Sequence, residues 1–132
     1  MSEKKELPIE TQGIVFMGIV PSLKLVEEKH DKSFIFTLKN QNEHPEKLVF
    51  SSTIEYDFKI IDHFGKVLRQ RSKDEVSTQK LKSVTLKQAQ ELVYYEDYYK
   101  LVDGLPKGTY KIEFMSTATS RNIKAVLEIE IK

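Results

Sequence analysis

The chain of 132 residues has neither cysteine nor tryptophan. The absence of cysteine excludes a disulfide framework, a thiol nucleophile and a thiolate metal site. An excess of one charge is missing as well: 21 basic side chains face 20 acidic ones, and a net charge of +1 provides no long-range field to gather nucleic acid or anionic lipid. Neither partner is expected. Long apolar runs are absent, the longest, residues 14–20, being far too short to span a bilayer. The first ten residues are charged and lead into no apolar stretch ending in a small-residue cleavage site, so a cytoplasmic location is expected. Helical periodicity is lacking too, since no segment sustains an apolar stripe every 3.6 residues.

Alternation is what the sequence does have. After a turn at Pro106 and Gly108, the residues Tyr110, Ile112 and Phe114 point one way and Thr109, Lys111 and Glu113 the other, the period of a strand with one face on a core. Ile54, Tyr56, Phe58 and Ile60 repeat the pattern against Glu55, Asp57 and Lys59. Phe34, Phe36 and Leu38 do so within 33–39, and Ile123, Ala125, Leu127, Ile129 and Ile131 carry it to the C-terminus. Weaker strands are expected at 13–20, ended by Pro21, and at 48–50, 66–71 and 92–95, with another beginning at Val84 and Leu86. Turns fall at His30 and Asp31, at 40–46, and at 62–65, where Gly65 supplies the positive φ a tight hairpin needs. Residues 72–83 are polar without a clear period, and 98–102 reads as one helical turn or as irregular chain. About eight or nine strands with short turns predict an all-β, two-sheet antiparallel sandwich. Residues 13–132 are expected to form one domain and residues 1–12 a flexible extension.

Chemistry-bearing patterns are sparse. His30, His44 and His63 fall in predicted turns at spacings that match no histidine metal pattern. No serine sits in a G-x-S-x-G context, and no glycine-rich phosphate loop occurs. No catalytic, metal or cofactor residue is therefore assigned. Glu55 and Asp57 share a strand face, but their alternation with Lys59 reads as a solvated polar face. The basic residues from Lys66 to Lys82 are interrupted by Asp74 and Glu75 and lack interleaved aromatics for base stacking. Tyr94, Tyr95, Tyr98 and Tyr99 flank Glu96 and Asp97; they serve either as core or as a recognition surface. Tyr110, just after a turn, fits either a tyrosine corner of an immunoglobulin-like fold or plain core packing.

In order along the chain, Leu38-Lys39-Asn40-Gln41, Phe50-Ser51-Ser52, the segment from Tyr56 through Asp62, Ser72-Lys73, Thr78-Gln79, Leu86, and Pro106 before Gly108-Thr109-Tyr110 resemble the intracellular proteinase inhibitor (BsuPI) family. The resemblance covers about residues 34–114, and the final strand is compatible with it. It implies an immunoglobulin-like antiparallel β-sandwich, no cofactor, and, as in the founding members, binding to an intracellular subtilisin-type serine protease; a monomer without enzymatic activity is expected. Inhibition by cleft binding requires a loop held extended and rigid, so that little ordering entropy is lost. Lys73, Asp74, Glu75, Val76, Ser77 and Thr78 fit best by polarity and length, with Val76 the apolar anchor. Residues 40–46 and 116–121 compete with them. The alternative function is a non-catalytic protein-interaction module that uses a sheet edge or the tyrosine face.

Overall fold

The computed structural model describes residues 10–12 and 18–132. The alternating stretch after Gly108 is a strand, Gly108–Ser116, in which Tyr110, Ile112 and Phe114 are buried while Thr109 and Lys111 are exposed. In chain order the strands are β1 (Glu10–Gln12), β2 (Ile19–Glu28), β3 (Asp31–Asn40), β4 (Glu46–Ser52), β5 (Tyr56–Ile61), β6 (Val67–Gln70), β7 (Gln79–Leu86), β8 (Glu91–Asp97), β9 (Gly108–Ser116) and β10 (Lys124–Ile131). Two short helices interrupt them, α1 (Arg71–Asp74) and α2 (Tyr98–Val102). Residues 98–102 are thus the helical turn rather than irregular chain.

All the pairings are antiparallel. A five-stranded sheet runs β1-β10-β9-β5-β6, a three-stranded sheet β2-β3-β8, and a two-stranded ribbon β4-β7. The two larger sheets meet through aromatic rings. Phe114 of β9 lies 6.0 Å from Phe34 and 5.5 Å from Phe36, both on β3, and 5.5 Å from Phe58 on β5. Leu48 and Phe50 bring the ribbon into the same core. Aromatic pairs at such spacings add about 0.5–1.5 kcal/mol each beyond the burial of their area.

Local chemistry explains the turns. At the β5-β6 hairpin the Asp62 carboxylate accepts from the N–H groups of Phe64 and Lys66, both at 2.9 Å, and Gly65 takes φ +87°. An aspartate bonding the backbone two residues on is an Asx turn, and the glycine relieves the cost of positive φ.

Four expectations change. Pro21 does not end a strand, because β2 runs through it. The Gln41 N–H donates to the Gly18 carbonyl, which makes that pair a hydrogen-bonded one, and alternation from there places Pro21 opposite Leu38 at a position that needs no N–H. Val84 and Leu86 close β7 instead of opening a strand. β7 pairs with β4 alone and leaves residues 79–83 exposed, so few of its positions require apolar side chains. Ten strands are described where eight or nine were expected, and the additional one, β1, lies in the stretch read as an extension. Of the strand expected at 13–20, residues 19–20 open β2 while 13–17 lie outside the described residues, as do residues 1–9 of the flexible extension. Finally, Asp57 is not on a solvated face: it is buried beneath the start of the connection to β7.

Candidate functional site

The connection from β6 to β7 leaves the body of the protein as a braced loop. Lys73 and Asp74 finish α1, the backbone turns extended at Glu75 (φ −110°, ψ 141°), and Val76 beyond it is 93% exposed. All six residues from Lys73 to Thr78 are exposed. At the near end, one oxygen of the Asp57 carboxylate accepts from the Phe58 and Ser72 N–H groups at 2.9 Å, and the other accepts from Gln70 Nε2 at 3.0 Å. Arg71 Nη1 donates to the Tyr56 carbonyl at 2.8 Å while its guanidinium lies 4.1 Å over the Tyr56 ring. Its Nε is 3.1 Å from Glu75 Oε2, an ion pair without the alignment of a hydrogen bond. At the far end the Thr78 N–H donates to Thr53 Oγ1 at 3.1 Å, and the Thr53 N–H donates to the Thr78 carbonyl at 3.0 Å.

Beneath the braces lies a layer of tyrosines and carboxylates. The Tyr56 hydroxyl donates to Glu96, and the Tyr94 hydroxyl donates to Glu55 at 2.9 Å. Glu55 also receives Lys82 Nζ. Burial pushes both phenols well above the usual tyrosine range, and the carboxylate each one bonds pushes it further. Burial alone would raise Glu55, but the Lys82 and Tyr94 hydrogen bonds, with the charges of Lys82 and Arg71, outweigh it and hold the carboxyl below its ordinary value. Glu55 and Asp57 are therefore separate structural acceptors rather than a catalytic pair.

The competing loops are packed down. Buried Asn40 donates through Nδ2 to the carbonyls of His44 and Leu86, both at 2.9 Å, which ties 40–46 to the end of β7. In the connection after β9, Thr117 Oγ1 donates to the Ile54 carbonyl at 2.7 Å, the Thr119 N–H donates to the Val49 carbonyl at 2.8 Å, and Arg121 Nη2 donates to the Lys47 carbonyl at 2.8 Å. Each of these loops keeps buried residues, Asn40 and Glu46 in the first and Ser116 and Ala118 in the second, whereas 73–78 has none.

Tyr110 is buried, with its hydroxyl donating to the Pro106 carbonyl at 2.5 Å. The tyrosine cluster divides: Tyr98 is core, Tyr94 is half-buried, and Tyr95 and Tyr99 are exposed. The three histidines are exposed at turns and bends, and among the described residues no group of His, Cys, Asp or Glu is arranged to hold a metal ion. An open hollow of about 460 Å³ lies on the outward face of β9 and β10, lined in part by Lys111, Glu113 and Glu128. That is the mixed charge of a solvated sheet face.

From sequence, Asp57 reads as part of a solvated polar face and Arg71 as part of an interrupted basic stretch, and Thr53 is not singled out, so none of the three is read as a brace. A signal existed for one of them, since an aspartate inside a strand of apolar residues asks where its hydrogen bonds go. Antiparallel sheets that carry an exposed, tethered loop define an all-β domain suited to meeting another protein's surface. The chain belongs to the BsuPI family of intracellular proteinase inhibitors, whose family model matches residues 20–121. The match runs from β2 through the connection after β9 and contains the loop with all its braces. The class of partner is accordingly a proteinase, and the class of activity is inhibition. A comparison with curated proteins found no match. Among the described residues, no helix is long and apolar enough to cross a membrane.

Proposed function

We propose that this chain inhibits an intracellular subtilisin-type serine protease by seating residues 73–78 in the protease cleft. The observation that carries the reading is a loop tied at both ends, through Asp57 and Thr53, with Val76 at its exposed crest. Immobilising a free side chain on binding costs about 0.5–1.5 kcal/mol, so a loop already held in place keeps more of its contact energy as affinity. The same tethering slows release of the cleaved ends if the loop is cut, which separates an inhibitor from a substrate. In this reading the protein is a cytoplasmic monomer, its single domain takes in residues 13–132 together with the edge strand β1, and the two larger sheets form an immunoglobulin-like sandwich. The bond from Tyr110 to Pro106 then serves as its tyrosine corner.

A second reading rests on Tyr95 and Tyr99, which are exposed near the end of β8 and in α2. Tyrosine faces of this kind suit a non-inhibitory interaction module. Titrating the purified protein into a subtilisin-type protease, with a chromogenic peptide as reporter and a gel of the mixture, separates the two. Loss of activity with the chain intact, or nicked once between 73 and 78, supports inhibition; full activity with the domain digested or ignored removes it.

A further inference from the structure

The loop does not end its exposed apolar surface at Val76. Leu81, five residues on, is 80% exposed, although it lies inside β7. A lone exposed leucine is ordinary, but here the regular pairing of the strand breaks beside it. Phe50 pairs with Lys82 and Ser52 with Gln79, so two steps along β4 correspond to three along β7 and one extra residue is accommodated at Lys80 and Leu81. A β-bulge of this kind bends its strand and re-aims a side chain. Alternation from Val84 and Leu86 already places Leu81 on the outward face with Ser83 and Thr85, and the extra residue brings Lys80 to that face beside it, next to a loop whose only apolar residue is Val76.

Charge marks the same surface. Glu75 is matched by Arg71 and Lys82 by Glu55. The stretch then presents exposed Lys73 and Lys80 against Asp74, a surplus of one positive charge around the two apolar side chains. Between Val76 and Leu81 the chain reaches at most about 17 Å when fully extended.

We propose that Leu81 is a second apolar contact of the inhibitory surface, and that the partner cleft offers separate apolar pockets to Val76 and Leu81 with an acidic rim facing Lys73 and Lys80. The inference rests on the protease reading of the loop. Its test is the inhibition constant of four proteins against a subtilisin-type protease: wild type, Val76→Ser, Leu81→Ser and Lys80→Glu, each checked for an unchanged urea midpoint. Both side chains are exposed, so the folded state tolerates their replacement. Leu81→Ser is expected to weaken inhibition about tenfold, comparable to Val76→Ser, because apolar anchors in desolvated pockets dominate interface energetics. Lys80→Glu is expected to slow association several-fold at low salt and to flatten its salt dependence. A Leu81→Ser protein within twofold of wild type, while Val76→Ser is weakened, overturns the second contact and leaves the loop reading standing. Unaltered association of Lys80→Glu overturns the acidic rim. A wild-type protein without effect on the protease overturns the loop reading, and this inference with it.

Discussion

Replacing Asp57 by alanine removes the carboxylate that accepts from the Phe58 N–H, the Ser72 N–H and Gln70 Nε2. The three donors differ in what they can recover. Ser72 is exposed, so water can take the place of its lost acceptor, whereas Phe58 is buried and Gln70 half-buried. A buried donor left without a partner costs about 1–3 kcal/mol, and a hydrogen bond to a charged acceptor contributes about 1.5–3 kcal/mol. Taking the Phe58 donor in full and the other two in part gives a loss of about 2–4 kcal/mol for Asp57→Ala. Asp57→Asn retains the oxygen that serves both backbone N–H groups. Its new NH2 faces Gln70, whose side-chain amide can turn to present its oxygen, so the loss falls to about 1 kcal/mol. Urea unfolding followed by tyrosine fluorescence measures both variants, with the slope unchanged and only the midpoint moved. Inhibition should follow in the same order, because the first N–H of the loop loses its anchor. An alanine variant within about 0.5 kcal/mol of wild type, the spread typical of surface substitutions, would refute the bracing argument. So would an asparagine variant as damaged as the alanine one, since the argument assigns the effect to the shared oxygen.

Phe114→Ala should cost about 3–5 kcal/mol in the same unfolding assay, because its ring joins β3, β5 and β9 and no single neighbour can fill the space. Tyr110→Phe should cost about 0.5–1.5 kcal/mol, the net worth of the bond to Pro106, with the strand pairing unchanged by circular dichroism. Tyr56 and Tyr94 keep their protons above the ordinary value of 10.0, whereas the unfolded chain releases them near it, so their contribution is present below that pH and lost as pH rises. Burial raises Tyr98 as well, so an ultraviolet titration should show three of the six phenols ionising late, together with unfolding. Glu55 runs the other way. Its carboxyl is held below 4.5, so the stability it contributes is present above that pH and lost as pH falls through the lowered value. The gap in urea midpoint between wild type and Glu55→Gln should narrow as pH falls below 4.5 and through the lowered value.

Legibility followed burial. Where one strand face is buried and the other more open to water, as in β3, β9 and most of β10, the period of two in the sequence is a direct record of the sheet. β7 left no such record, because a ribbon edge exposed over 79–83 places no demand on polarity. Pro21 misled for a related reason: the rule against proline in strands concerns central hydrogen-bonding positions, and β2 is the edge of its sheet. The loop itself was legible as a polar stretch without a period. Its braces were not, since Thr53 and Thr78 are 25 residues apart and Asp57 and Ser72 are 15 apart. Pairings of that kind exist only once the chain has folded.

Those pairings share an origin that bears on how the loop works. Both ends are tied to one short stretch, Thr53 at the far end and Tyr56 with Asp57 at the near end. That stretch is itself pinned to the end of β9, with the Thr117 N–H donating to the Glu55 carbonyl at 3.0 Å and Thr117 Oγ1 donating to the Ile54 carbonyl. From below, Tyr94 and Lys82 converge on the Glu55 carboxylate. Movement of the loop therefore requires movement of a segment that three other strands hold, β7, β8 and β9. A loop mounted in this way can have an exposed and nearly structureless crest and still lose little entropy on capture, because its two ends cannot drift apart. It also explains why the polar groups under the loop are tyrosines and carboxylates rather than leucines. Directional bonds fix the orientation of the 53–57 stretch, which apolar packing alone would leave free to slide.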